Sequence, residues 1–431
     1  MKSMEDESKN ITEDMALDTS SLDKILQRYI RSDPTSIKLQ AASFLIKDKN
    51  GETIYSKALG DLTFAPNSPP FTQDSVFSAM SLTKLVTAIS VVQLVEKDMI
   101  SLDANLSTII PELANKKILH GFGNDGTPIL TDATNPITLR TLLTHTSGFT
   151  YAPDSPLLTK WAKSTNHNFH ASPPSLGGFT YPLLFNPGDG WVYGIGLDWA
   201  ARIVEVLTHT TYESYLQAHI FAPLGMRSST VRIWDHPELT SRQADIGSRP
   251  KNVDGEMVGR PLIAKTPLHR KDLEMHRGGG ALYTTANNYA VLLASLLSSD
   301  GRILKGESVE ELLRPQLADA RYLKAVFDGP DHGATCPEFP IGLGVNHALA
   351  GVVNVEDVVK KRPAGTVAWS GASGPRWLID RRTGIAALLV VQVMPFEDEV
   401  AVGLYNEIEE AMYAILRKRR EGDCCHDVVV S

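Results

Sequence analysis

The stretch Ser81–Val95 constrains this chain more than any other. Leu82, Leu85, Val86, Ala88, Ile89, Val91, Val92, Leu94 and Val95 would surround a helix on nearly every side. A helix that is apolar all round has no face to give to water and is buried in a large core. A chain of 431 residues is long enough to build such a core, with room for two subdomains. The same helix opens on Ser81-Leu82-Thr83-Lys84, so a hydroxyl and an ammonium are carried to the edge of that core.

Composition removes several functional classes. Hydrophobic residues make up 42% and charged residues 21%, as in ordinary soluble globular proteins. A formal net charge of −8, without a large basic cluster, argues against a nucleic-acid partner. The run Arg417-Lys418-Arg419-Arg420 closes a helix-like segment and reads as a solvated last turn. Three cysteines, Cys336, Cys424 and Cys425, fit no disulfide framework and suit a reducing compartment. Cys424-Cys425-His426 lacks a second ligand pair, so neither a metal nor a cofactor is expected. Met1–Asp18 is polar and acidic with no apolar h-region, and no apolar run reaches membrane-spanning length. Neither a signal peptide nor a membrane span is therefore predicted, and the expected location is cytoplasmic.

Residues 1–20 read as a disordered N-terminus, with Ser21–Arg31 the first short helix. Leu39–Ile46 and Thr53–Leu59 alternate as strands around Asn50-Gly51, a strong hairpin signal. From Pro111 to Pro267, loops rich in Pro, Gly, Asn and Asp separate helical stretches such as Leu197–Thr208, and no strand alternation stands out. Strand-like sequence returns at Gly278–Tyr283, then a helix over Ala286–Leu297. Thr366–Ser370, Arg376–Ile379 and Ala386–Val393 read as strands of one antiparallel sheet, and Val402–Arg417 as a closing amphipathic helix. The predicted class is α+β, an antiparallel sheet flanked by helices. Residues 21–110 and 270–418 would form the sheet subdomain, 111–269 a mostly helical insertion, and 419–431 a disordered tail.

Three short segments carry chemistry. In Ser81-x-x-Lys84 the two side chains share a helical face, so the lysine nitrogen can reach the serine hydroxyl. A serine hydroxyl is a weak nucleophile that needs an adjacent base, and burial favours the neutral form of a lysine. Ser21-x-x-Lys24 and Ser248-x-x-Lys251 share the spacing without the buried helix start and read as surface coincidences. The second segment is Trp191-Val192-Tyr193-Gly194, after an Asn-Pro-Gly turn, where Tyr193 can take the serine proton with lysine's help and deliver it to the leaving group. The third is Trp369-Ser370-Gly371-Ala372 at a strand end, where small residues let a backbone amide approach a substrate carbonyl.

In this order the three segments resemble the family of serine β-lactamases, penicillin-binding proteins and related esterases. The run Leu142-Leu143-Thr144-His145-Thr146-Ser147-Gly148 carries the resemblance furthest. It is joined by Phe221-Ala222-Pro223-Leu224-Gly225-Met226 and Gly278-Gly279-Gly280-Ala281-Leu282-Tyr283. Together the matching stretches cover about residues 38–418. Leu119-His120-Gly121-Phe122-Gly123, Tyr193-Gly194-Ile195-Gly196-Leu197-Asp198-Trp199 and Trp377-Leu378-Ile379-Asp380 resemble the fungal polyketide transesterase branch, of the type found in lovastatin biosynthesis.

The resemblance implies a β-lactamase/transpeptidase-like fold and a seryl-acyl enzyme. It implies Ser81 as nucleophile, Lys84 and Tyr193 as the acid/base pair, and the amides of Ser81 and Ala372 as the oxyanion hole. Trp369, Ser370 and Gly371 would contact substrate, and Phe396 holds the place of a pocket aromatic. His145 stands in a stretch that is structural in this family. The implied partners are small molecules, an acyl thioester (free or on a carrier protein) and a polyketide-like alcohol.

Two departures bear on substrate. Ile195 stands where penicillin-recognising enzymes carry asparagine, and Trp369-Ser370-Gly371 replaces Lys-Thr-Gly. Without that lysine nothing grips a β-lactam carboxylate, so a neutral ester or thioester is expected. The expected activity is acyl transfer to an alcohol. A carboxylesterase of the same fold is the neighbouring reading, differing in whether water is kept from the acyl-enzyme. A non-catalytic binding module is the reading from another class, and the intact Ser81, Lys84 and Tyr193 argue against it. Neither Gly-x-Ser-x-Gly nor His-Glu-x-x-His occurs in the chain.

Overall fold

Residues 17–169, 175–250, 261–265 and 275–427 are described by a computed structural model. The expected N-terminal disorder falls mainly on residues outside this set. Asn50-Gly51 turns the chain between strands Ala41–Asp48 and Thr53–Gly60. Gly51 sits at φ +79°, and Asp48 Oδ1 accepts the amides of Asn50 and Glu52, both at 2.9 Å. A side-chain carboxylate thus organises the turn while glycine supplies the left-handed backbone.

The hairpin is one edge of a seven-stranded sheet. Its order is Thr53–Gly60, Ala41–Asp48, Ile385–Val390, Arg376–Asp380, Val367–Ser370, Val352–Asn354, Val345–His347. Every neighbouring pair is antiparallel, and Ser43 faces Val390 where the two ends of the chain meet. The period of two sorts its side chains to two cores. Trp377, Ile379, Leu388 and Val390 join the core that holds the Thr83–Glu96 helix. Leu378, Ala387 and Leu389 face the other way, toward helices Ser20–Tyr29 and Glu399–Asp427.

Helix Thr83–Glu96 is buried at every residue from Thr83 to Leu94. Several of its polar groups are bonded internally, as burial favours, although Gln93 Oε1 has no partner among the described residues. Thr87 Oγ1 donates to the Gly278 carbonyl at 2.6 Å and Gln93 Nε2 to the Ile303 carbonyl at 2.8 Å. Helix Gly196–Thr208 lies across it and shares the same core, although it belongs to the middle of the chain. Each fully buried leucine or isoleucine there contributes about 2 kcal/mol.

Four segments differ from expectation. Lys117–Phe122 and Pro128–Asp132 form a hairpin inside the supposedly strand-free middle region. Its pattern is hidden because Ile129 and Leu130 are exposed and Ile118 and Leu119 are buried side by side at a bulge. Ile246–Ser248 and Ile263–Lys265 add two more strands, the first lying between the second and Val393–Met394. Gly278–Gly280 is a turn, and only Tyr283–Thr285 is strand. A Cβ on Gly278 would lie 2.3 Å from the Leu197 carbonyl oxygen, so close approach is what the glycine serves. The closing helix runs Glu399–Asp427, beyond the boundary at 418, with residues 428–431 outside the description. Among the described residues no helix is long and apolar enough to cross a membrane.

Candidate active site

Ser81 lies on the tight turn Met80–Leu82 that leads into the buried helix. Met80 takes φ +48°, unusual for a side chain of its size. The turn is fastened by Thr83, whose hydroxyl donates to the Met80 carbonyl at 2.6 Å and accepts the Leu282 amide at 3.0 Å. Such local strain persists where the surroundings over-determine it.

Lys84 is 3% exposed. Its Nζ lies 3.2 Å from Ser81 Oγ, 3.2 Å from Tyr151 Oη and 2.8 Å from the Gly279 carbonyl oxygen. Three hydrogen-bond partners thus surround one nitrogen. From the other side Tyr193 Oη lies 2.7 Å from Ser81 Oγ, and Lys84 Nζ is 4.6 Å from the Tyr193 ring centre. The structure therefore brings Ser81, Lys84 and Tyr193 into one hydrogen-bonded group.

The Leu142–Phe149 run shapes the loop that delivers Tyr193. The Val192 amide donates to the His145 carbonyl at 3.0 Å, and the Gly194 amide approaches His145 Nδ1 at 3.4 Å. Any Cβ on Gly194 or Gly196 would lie 2.3 Å from the Phe149 carbonyl or 2.2 Å from that of Leu142. Backbone presses on backbone here, which only glycine permits. His145 itself is buried, and desolvation holds its proton affinity well below the ordinary histidine range. Its ring stacks on Trp369 with centroids 6.1 Å apart. A neutral ring that faces a backbone amide shapes the loop, and the hydrogen bonds of Ser81 Oγ run instead to Lys84 and Tyr193.

Strand Val367–Ser370 brings up the third segment. The Trp369 ring centre is 5.7 Å from that of Tyr193, so the indole walls the tyrosine. A Cβ on Gly371 would lie 2.7 Å from the Ala79 carbonyl, which sets the 371–375 turn against the Ser81 turn. Ser373 Oγ and Gln392 Nε2 both donate to the Ser78 carbonyl at 3.2 Å, lacing the two turns together. Ala372, in the turn set against Ser81, is exposed, and its amide donates to no backbone carbonyl among the described residues. An exposed amide so placed can donate to an oxyanion. Phe396 is placed by its contact with Arg376, whose guanidinium stands 4.9 Å from its ring centre.

Sequence reasoning missed three members of the group. Tyr151 and the Gly279 carbonyl complete the coordination of Lys84 Nζ, and Asp198, 1% exposed, accepts the Gly279 amide at 3.0 Å. Burial and the nearby Tyr193 and Asp198 hold the Tyr151 hydroxyl well above the ordinary tyrosine range. The one available signal was Asp198, an acidic residue in the otherwise apolar helix start Gly196-Leu197-Asp198-Trp199-Ala200. Among the described residues no cluster of His, Cys, Asp or Glu is arranged to hold a metal.

A beta-lactamase family profile matches residues 27–411, and the chain belongs to that family. It is 33% identical over 386 residues to the lovastatin esterase of Penicillium rubens, covering 87% of this chain and 94% of that one. It is 29% identical to the monacolin J acid methylbutanoyltransferase of Aspergillus terreus, covering 90% of this chain and 95% of the relative. Among solved structures, a simvastatin synthase mutant from Aspergillus terreus superposes with a TM-score of 0.83 at 29% identity, over 92% and 95% of the two chains. The chain is an acyl-transfer enzyme on the beta-lactamase scaffold.

Proposed function

We propose that the chain moves an acyl group from a thioester to the hydroxyl of a polyketide-like small molecule through an ester on Ser81. The observation that carries this reading is Ser81 Oγ set between Lys84 Nζ at 3.2 Å and Tyr193 Oη at 2.7 Å. In the first half, Oγ bonds to the thioester carbonyl carbon and the carbon–sulfur bond breaks. The serine proton enters the Lys84–Tyr193 group and leaves on the thiolate. In the second half the acceptor oxygen bonds to the carbonyl carbon, the bond to Oγ breaks, and the acceptor's proton returns to Ser81. The amides of Ser81 and Ala372 receive the oxyanion in both halves.

The acceptor class is supported by the Trp369 wall beside Tyr193 and by the name of the methylbutanoyltransferase relative, which acts on monacolin J acid. A thioester on a carrier protein and a cytoplasmic location belong to the same reading, the latter supported by the cysteine usage. The similarity to a lovastatin esterase favours a second reading, in which water takes the acyl group.

The discriminating experiment incubates the protein with a short acyl thioester and a titrated series of polyketide-like alcohols, with products followed by mass spectrometry. Ester that rises with alcohol at the expense of free acid is the expected result. Free acid dominating with every acceptor assigns the chain to ester hydrolysis.

A further inference from the structure

Asp198 is buried in the first turn of helix Gly196–Thr208, beside the catalytic group and outside every contact with Ser81. One oxygen, Oδ1, accepts the Gly279 amide at 3.0 Å, while Oδ2 is buried with no hydrogen-bond partner among the described residues. The carbonyl of that same Gly279 accepts Lys84 Nζ at 2.8 Å. A single glycine therefore links the carboxylate to the lysine. A Cβ on it would lie 2.9 Å from Tyr151 Oη and 3.2 Å from Asp198 Oδ2, so any larger residue would have to displace these two side chains. An unpaired carboxylate oxygen in a buried site is costly unless charge elsewhere compensates it.

We propose that Asp198 is a positioning residue for acylation: it holds the Gly279 turn so that the carbonyl fixes Lys84 Nζ beside Ser81, and its negative charge retains a proton on the Lys84, Tyr151 and Tyr193 group. This rests on the reading of Ser81 and Lys84 given above. The groups facing Asp198 are Lys84 from the buried helix, Tyr151 and Tyr181 from the loops after Gly148 and before Leu183, Tyr212 from its own short helix, and Arg277 from the turn before Gly278. Burial pushes the Asp198 carboxyl up, while Arg277 and Lys84 pull it back toward the anion. Neighbouring His145 is held neutral, and Glu205 is taken by His276 at 3.0 Å, so neither replaces it as counter-charge.

The sign of the effect follows from Coulomb's law. An anion near the catalytic group favours its protonated state, so removing the anion moves the acid limb of the pH–rate profile to lower pH. Removing a nearby cation moves that limb to higher pH. The test is the burst of p-nitrophenol from p-nitrophenyl butyrate between about pH 5 and pH 9, with mass spectrometry of the Ser81 peptide.

Asp198→Asn keeps an oxygen for the Gly279 amide and loses the charge. The expected result is a roughly tenfold slower burst, KM changed by less than about twofold, and an acid limb about one unit lower. Arg277→Gln, at an exposed position, should raise the limb by a smaller amount. A limb for Asp198→Asn that coincides with wild type, or a burst slowed equally at all pH values, overturns the proposal while leaving Ser81 in place. If Asp198→Asn does not fold, an unmoved limb in Arg277→Gln overturns it. Wild-type protein that acquires no acyl group on Ser81 removes the functional reading and this role together.

Discussion

The ring of His145 packs on that of Tyr193, centroids 4.8 Å apart, while its Nδ1 faces the Gly194 amide at 3.4 Å. The histidine sits at φ +59°, a conformation asparagine tolerates and alanine resists. His145→Asn should therefore retain most of the acylation rate, because its amide oxygen can receive the Gly194 N–H. His145→Ala should be destabilised by about 2–4 kcal/mol from the cavity and the backbone cost. The pH–rate profile is the decisive measurement, since both variants should keep the wild-type acid limb if the imidazole carries no catalytic proton.

Ser81→Ala should abolish turnover and covalent labelling, with a rate loss on the order of 10⁶ where nucleophile logic applies. Peptide mapping after a fluorophosphonate probe checks this. Label on Ser147 or Ser373 in place of Ser81 would reassign the nucleophile.

Lys84 and Tyr193 both lie within hydrogen-bond reach of one oxygen, so their substitutions should be strongly non-additive. The double variant Lys84→Ala with Tyr193→Phe should lose little more than the worse single. Losses that multiply would mean the two side chains handle separate protons.

Much of this group was legible because it is local. Ser81 and Lys84 sit three residues apart on a helix whose all-round apolar sequence announces burial, and that burial is observed from Thr83 to Leu94. The hairpin at Asn50-Gly51 and the late strands carry the same kind of short-range signal. Tyr151, Asp198 and the Gly279 carbonyl come from three segments that meet only in the folded core, where one contributes a backbone atom that no side-chain pattern encodes. The Lys117–Asp132 hairpin stayed hidden for the opposite reason: Pro128–Asp132 has no buried face to impose alternation.

Acid sensitivity should follow from His347, a buried ring 5.5 Å from His145. Desolvation lowers its pKa from 6.5 to about 4 in the fold. Between those values the unfolded chain binds the proton and the folded chain does not, so stability rises with pH across this window. Thermal unfolding measured from about pH 7 down to about pH 4 should show the midpoint falling, and His347→Asn should flatten that fall. An unchanged slope in the variant would place the acid-sensitive group elsewhere.

Ser43 pairs with Val390, and Ser78 is laced to Ser373 and Gln392, so the Ser81 turn and the Ala372 turn belong to parts of the chain nearly three hundred residues apart. A growing polypeptide carries Ser81 and Lys84 early in its synthesis but lacks the Ala372 amide until its last strands emerge. An incomplete chain therefore holds the Ser81 hydroxyl before the Ala372 turn exists, and the two are brought together only once the final strands have paired.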